Sequence, residues 1–325
     1  MSEEAELAKS KARELSLAYL GVIQQRLIRP FEVRPRMDTS VLAPFVDTIY
    51  STLYENVLSC LSMATIAFDL CLEFEQESFF RSTLAAERIR QLAKAAGEGQ
   101  IKFELDDEMH SEALRIASEK AASLAKEADT YIERTVSRLL AVLDRDGFQT
   151  RVDNLTRQSI VLLWTAFETF NRDLLRAILN ARPDLYRRLE KDQDFRKEIR
   201  SIDIERIAER GFDLSNCLGD IIFSSRDLSN AKSIERIYLP LYPEAKMLHC
   251  ALSSKRLYFL GKVRNLIVHT GGVVDSEFLK VTDYNGSTGD RLKFHTVEFQ
   301  EFCEEVLSTS EQVCNAVKVD FTRHP

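Results

Sequence analysis

Three side chains equipped for chemistry stand close together near the end of one predicted helix. They are Arg264, Asn265 and His269, within Gly261-Lys262-Val263-Arg264-Asn265-Leu266-Ile267-Val268-His269-Thr270-Gly271-Gly272. An imidazole exchanges a proton near neutral pH, and a guanidinium fork can hold two oxygens of a phosphate at once. An amide beside them can orient the ring or add a hydrogen bond to the same anion. Asn265 and His269 are four residues apart and share a helix face, while Arg264 is offset sideways but long enough to reach toward the same end. Gly271 and Gly272 supply the left-handed position that stops a helix, so His269 falls in the last turn. Gly261 lies one turn below Arg264 and Asn265, and its missing side chain lets another backbone come close, between protomers or within one. Lys255, Arg256 and Lys262, on the same helix, could track a nucleic-acid backbone or simply form a solvated face.

A structural role fits the same residues. A histidine in a last turn can serve as a cation against the helix dipole, and Arg264 can pair with a carboxylate such as Glu168. No other cluster competes. The cysteines at 60, 71, 217, 250, 303 and 314 form no Cys-x-x-Cys pair and no zinc-finger spacing, so buried reduced thiols are expected, with Cys60 and Cys71 in the core. His249 beside Cys250 lacks further ligand spacing, His295 ends a predicted strand, and His110 and His324 read as surface residues. Gly271-Gly272 follows a helix and lacks the Lys-Ser/Thr of a phosphate loop. No metal site is expected.

The elements that must position the three residues come from a chain of 325 residues, 45% hydrophobic and 29% charged, enough to bury one or two cores. Residues 1–150 carry 18 Lys+Arg against 25 Asp+Glu, and residues 151–325 carry 26 against 26, so the net charge of −7 belongs to the first part. Overall charge thus makes no case for a nucleic-acid partner, which has to be argued from a local site. No secretory leader is read at the N-terminus, and the apolar region Val41 to Phe74 is interrupted by Asp47, Glu55, Asp69 and Glu73. A buried helix or pair of helices is expected there, without a membrane span, in a cytoplasmic protein.

In order, a helix spans the first 29 residues and an extended connector runs from Pro30 to Pro44. Helices follow from Val41 to Ala96, then one long helix from the acidic Asp106-Asp107-Glu108 to about Leu143. Leu114, Ala117, Ala121, Leu124, Ala128, Tyr131, Thr135, Leu139 and Val142 make its core stripe. The turn-rich Asp144-Arg145-Asp146-Gly147 marks the boundary between domains 1–150 and 151–325. Asp153 is a candidate cap for a helix reaching Ala181, whose Glu168 must face solvent or meet a cation such as Arg172 at i+4. A charged segment follows to Arg200, then a helix from Ile202 to Glu209. After the interruption at Leu239-Pro240-Leu241-Tyr242-Pro243, one helix is expected from about Ala245 to His269. A hairpin of Val273–Val281 and Arg291–His295, and a final helix from Thr296 to about Val319, complete the chain.

Ala166-Phe167-Glu168 on a helix, the charged middle segment, and above all Arg264-Asn265-x-x-x-His269 at a helix end before two glycines resemble the HEPN superfamily of all-α domains. The resemblance covers roughly residues 151–325 and does not extend to residues 1–150. It implies a mainly α protein, with a C-terminal HEPN-like helical bundle and small β-hairpin preceded by an N-terminal helical domain. It further implies a metal-independent endoribonuclease of a bacterial toxin or anti-phage system, without cofactor. RNA is the implied partner, and a homodimer brings two Arg/His pairs to one cleft. His269 would transfer protons, Arg264 would bind the phosphate, and Asn265 would orient the ring or bind the phosphate. Products would be a 2′,3′-cyclic phosphate and a 5′-hydroxyl. The acidic N-terminal domain would sense a trigger, restrain the nuclease or bind an antitoxin or other defence subunit. The alternative is a catalytically silent HEPN-like scaffold or nucleotide-binding module.

Overall fold

The computed structural model describes residues 44–97, 104–124, 128–143, 145, 147–190, 195, 204–208, 211–213, 216–223, 228–294 and 296–323. The predicted first helix and most of the connector before Pro44 lie outside these residues, as do His295 and His324. The protein is mainly α, with no strand among the described residues. Its helices are α1 (Pro44–Gly97), α2 (Asp107–Leu124), α3 (Ala128–Leu143), α4 (Phe148–Ala181), α5 (Tyr186–Leu189), α6 (Ile204–Ala208), α7 (Leu218–Phe223), α8 (Ala231–Leu241), α9 (Lys246–Leu252), α10 (Lys255–Thr270), α11 (Ser276–Val281) and α12 (Thr296–Arg323).

Two compact units divide the chain, with breaks at Ala64/Thr65 and Val152/Asp153. The second break falls close to the turn-rich seam, but the first lies inside α1, so residues 44–64 belong with the C-terminal unit. The unit Thr65–Val152 packs Ala67, Phe68 and Cys71 of α1 against Val136, Leu139 and Leu143 of α3. Its buried carboxylate, Glu87, accepts bonds from Lys120 Nζ at 2.6 Å and Arg90 Nη1 at 2.8 Å. Those two partners offset the cost of removing the charge from water.

In the other unit Val46, Tyr50, Leu53, Val57, Leu61 and Ala64 line the inner face of α1, recurring at the three- and four-residue spacing of a helix stripe. They share a core with α4, α8, α10 and α12. Tyr50 Oη donates to Glu311 at 3.0 Å and Lys318 Nζ to Asp47 at 3.0 Å, tying α1 to α12. The α1 helix is long and apolar enough to cross a membrane by length and composition, and 44% of its most apolar window is buried inside the fold.

Several expectations are corrected. Where helices are expected from Val41 to Ala96, the described part is one helix of 54 residues, Pro44–Gly97. The long helix expected from the acidic 106–108 stretch to about Leu143 is helical in both its described parts, α2 and α3; residues 125–127 between them lie outside the description, and nothing corrects that expectation. Helix α4 starts at Phe148, so Asp153 lies inside it rather than capping it. Pro240 is accommodated in the last turn of α8, which ends at Leu241. The expected helix from Ala245 to His269 is α9 and α10, broken at Ser253-Ser254, because the Ser254 side chain accepts the backbone N–H groups of Arg256 and Leu257 and starts a new helix. The hairpin is replaced by helix α11 and a single antiparallel bridge between Val273 and Arg291. Asp275 decides this by accepting Phe278 N–H at 2.7 Å, which nucleates a helical turn where alternation suggested a strand.

Candidate functional site

Helix α10 carries the candidate residues, and its two ends are fixed locally. Ser254 caps the start. At the other end Gly271, with φ 66°, adopts the left-handed conformation, and Gly271 and Gly272 donate to the carbonyls of Ile267 at 3.0 Å and Leu266 at 3.2 Å. Gly272, with φ 83°, also lies against Arg157. That arginine is buried, which lowers its pKa from the ordinary value, and it donates to Leu292 O at 3.3 Å. Leu292 N–H in turn donates to Gly272 O at 2.8 Å, so the helix end is held by the chain that follows it.

The flank of α10 is set by aromatic packing. Phe259 lies 5.9 Å from Phe278 of α11 and 6.0 Å from Phe302 of α12, ring centre to ring centre. Gly261 meets α4, but through a side chain and within one protomer: a Cβ there would stand 3.0 Å from Trp164 Cη2. The close approach is therefore that of an indole and not of a second backbone. Trp164 is fully buried and donates from Nε1 to Ser229 O at 3.0 Å.

On this frame His269 is exposed, while Arg264 and Asn265 are half-buried. Arg264 Nη1 donates to Asn265 Oδ1 at 3.0 Å. Its Nε is buried and has no hydrogen-bond partner among the described residues. Leaving such a donor unpaired in a dry interior costs about 1–3 kcal/mol. Lys262, Asn265, Leu266, His269, Thr270 and residues of α11 surround a pocket of about 310 Å³. Arg264 does not line it and is linked to it through its hydrogen bond to Asn265. Asp275 and Glu277 bring two carboxyl groups to the same pocket.

Of the other sequence candidates, Glu168 accepts from Arg172 at 2.8 Å, the partner expected at i+4, rather than from Arg264. Arg256 stands 3.2 Å from Glu301 and Lys255 3.7 Å from Asp283, so both cations have acidic neighbours. His249 Nε2 is 2.9 Å from Tyr242 O, and His110 pairs with Arg88 at 3.2 Å, half-buried rather than on the open surface. All six cysteines are free, and Cys250 alone is exposed. Among the described residues no three His, Cys, Asp or Glu side chains are grouped to hold a metal ion.

No known protein family, characterised protein or solved structure matches the chain. The chemistry of the site has to come from its own residues. Sequence reasoning missed Tyr258 and Lys232. Tyr258 was visible as a residue four before Lys262 and seven before Asn265, on the same helix face. Lys232, on α8, had no local signal; its Nζ lies 5.6 Å from the Tyr258 ring centre. A larger pocket, about 780 Å³, opens between α9 and the end of α12 and was not foreseen. Two polar atoms of its lining, Tyr242 Oη and Asp320 Oδ2, are closed off from solvent without a hydrogen bond, but Asp320 is ion-paired through Oδ2 with Arg182 at 3.7 Å and through Oδ1 with Arg188 at 3.0 Å.

Proposed function

We propose that the chain is a HEPN-like, metal-independent endoribonuclease of a bacterial toxin or anti-phage defence system, working in the cytoplasm. The observation that carries this is the exposed His269 on the pocket wall, one turn beyond an Arg264–Asn265 pair whose guanidinium is incompletely bonded. One imidazole takes the proton of a ribose 2′-hydroxyl as that oxygen attacks phosphorus. An acid protonates the departing 5′-oxygen, and Asn265 binds the phosphate oxygens from the pocket wall, while Arg264, hydrogen-bonded to it, positions the amide and adds positive charge as negative charge builds on them. The products are a 2′,3′-cyclic phosphate and a 5′-hydroxyl.

The described pocket contains one histidine, and two proton-transfer roles need filling. Pairing of two protomers supplies the second as His269 of the other copy. Val268, four residues after Arg264 and 50% exposed, offers an apolar contact for that pairing. The acidic residues 1–150 serve as the sensing, restraining or partner-binding part.

A second reading is favoured by Asp275 and Glu277, whose charges oppose a phosphate in the pocket. It is a catalytically silent helical scaffold or nucleotide-binding module. Incubating wild type and His269→Ala with single-stranded RNA in the presence of chelator separates the two. Loss of a proton-transfer group lowers the rate by about 10²–10⁴, whereas equal behaviour of the two proteins supports the silent scaffold.

A further inference from the structure

We infer that Lys232, Tyr258 and Lys262 form a binding track for single-stranded RNA, running along α10 toward Asn265 and His269. The track rests on the ribonuclease reading for its direction and its polymer. Its residues, however, are distinct from the reacting groups.

Positions 255, 258, 262, 265 and 269 alternate three and four apart, so Lys255, Tyr258, Lys262, Asn265 and His269 form one stripe on α10. From Tyr258 to His269 the stripe covers about 16 Å at the helical rise. At its head the half-buried Tyr258 ring is approached by two ammonium groups, Lys262 Nζ at 5.4 Å and Lys232 Nζ at 5.6 Å from the ring centre. Neither lysine is in an ion pair among the described residues, whereas Lys255 and Arg256 both have acidic neighbours. Two cations outside any ion pair among the described residues, both close to one aromatic ring, therefore lead toward the pocket that contains His269.

A single strand satisfies every element of this arrangement. Its phosphates take the lysines, and an unstacked base takes the tyrosine face once one ammonium swings away to a phosphate. A duplex keeps its bases inside the stack and offers nothing to the ring. An acidic polypeptide satisfies the lysines and leaves both the ring and the imidazole without a role. Asp275 and Glu277 line the same pocket and disfavour phosphate beside them, so the strand's phosphates lie along the Lys232 and Lys262 side, with the scissile phosphate beside Asn265.

The test is fluorescence anisotropy of a labelled oligouridine of about ten nucleotides, with the full chain carrying His269→Ala so that the probe is not cut. Tyr258→Ala should weaken binding about tenfold, within the range for one stacked base, and Tyr258→Phe should retain it. Lys232→Gln and Lys262→Gln should each lower the slope of log affinity against log salt by about 0.7, the value for one phosphate contact on a single strand. Unchanged affinity in Tyr258→Ala with unchanged slopes in the lysine variants overturns the track. So does equal competition by polyglutamate of matched charge, or tighter binding of the corresponding duplex. If these dependences hold while wild type cuts no RNA, the track stands and the nuclease reading falls. If wild type cuts RNA and the variants bind normally, the reverse is true.

Discussion

Replacing Gly261 by alanine measures how tightly α10 is seated beneath the candidate site. At an open helix position the change stabilises by about 0.8–1.0 kcal/mol, because alanine restricts the unfolded chain and favours the helix. Here the new methyl would lie 3.0 Å from Trp164 Cη2 and 3.3 Å from Cζ3. The indole has little freedom to retreat: it is fully buried, anchored by Nε1 to Ser229 O, and packed edge-on against Phe167 at 5.7 Å. Overpacking of this kind costs about 1–3 kcal/mol, so the net expectation is destabilisation by about 1 kcal/mol. Trp164 is the chain's single tryptophan, so its fluorescence during urea unfolding reports both the midpoint and the strained environment. The comparison variant is Gly97→Ala, where a Cβ meets nothing within 4 Å and the change should be neutral or stabilising. Gly261→Ala should also reduce RNA cleavage, since Arg264 and Asn265 lie one turn above the displaced contact. A gain in stability like that of an open helix site refutes the seating of α10 on Trp164.

Three further outcomes follow from the same structure. Ser254→Ala removes the side chain that accepts Arg256 and Leu257 N–H, and should lower stability in urea by about 1 kcal/mol while leaving the folded spectrum unchanged. Glu277→Gln removes one negative charge from the pocket and should tighten oligouridine binding at low salt, with the gain fading as salt is raised; a loss of affinity contradicts the repulsion assigned to this residue. Burial pushes the Cys60 thiol up from about 9 to about 11, so its protonated form is favoured by folding. Its contribution is present below about pH 9 and is lost as pH rises through about 11, a loss of up to about 2–3 kcal/mol. Cys60→Ala should flatten the fall in urea midpoint between pH 8 and pH 10.5, and an equally steep fall in that variant counts against it. Cys314, pushed up to about 12, acts in the same direction in both proteins.

Local signals carried much of the fold and the near half of the site. The stop at Gly271 depends on backbone conformation within a few residues, and Glu168–Arg172 is a pair four apart on one helix, so both were legible. Ser254 and Asp275 were equally local, but the apolar pattern on either side of each suggested a continuous helix and a strand, and the caps prevailed. What Gly261 faces was not legible, because Trp164 lies on another helix almost a hundred positions earlier. Lys232 was hidden in the same way, on another helix 26 positions before Tyr258. Arg264 was expected beside the imidazole; only the folded helix shows that its fork turns to Asn265 and reaches the pocket through it.

The central claim is that His269 moves a proton during RNA cleavage at this site. Its most direct measurement is the chemistry of the new ends formed when wild type and His269→Ala are incubated with single-stranded RNA and chelator. The expected result is a 2′,3′-cyclic phosphate and a 5′-hydroxyl from the wild type, with formation reduced by about a hundredfold or more in the variant. Equal rates for the two proteins, or new ends that carry a 5′-phosphate, would contradict it.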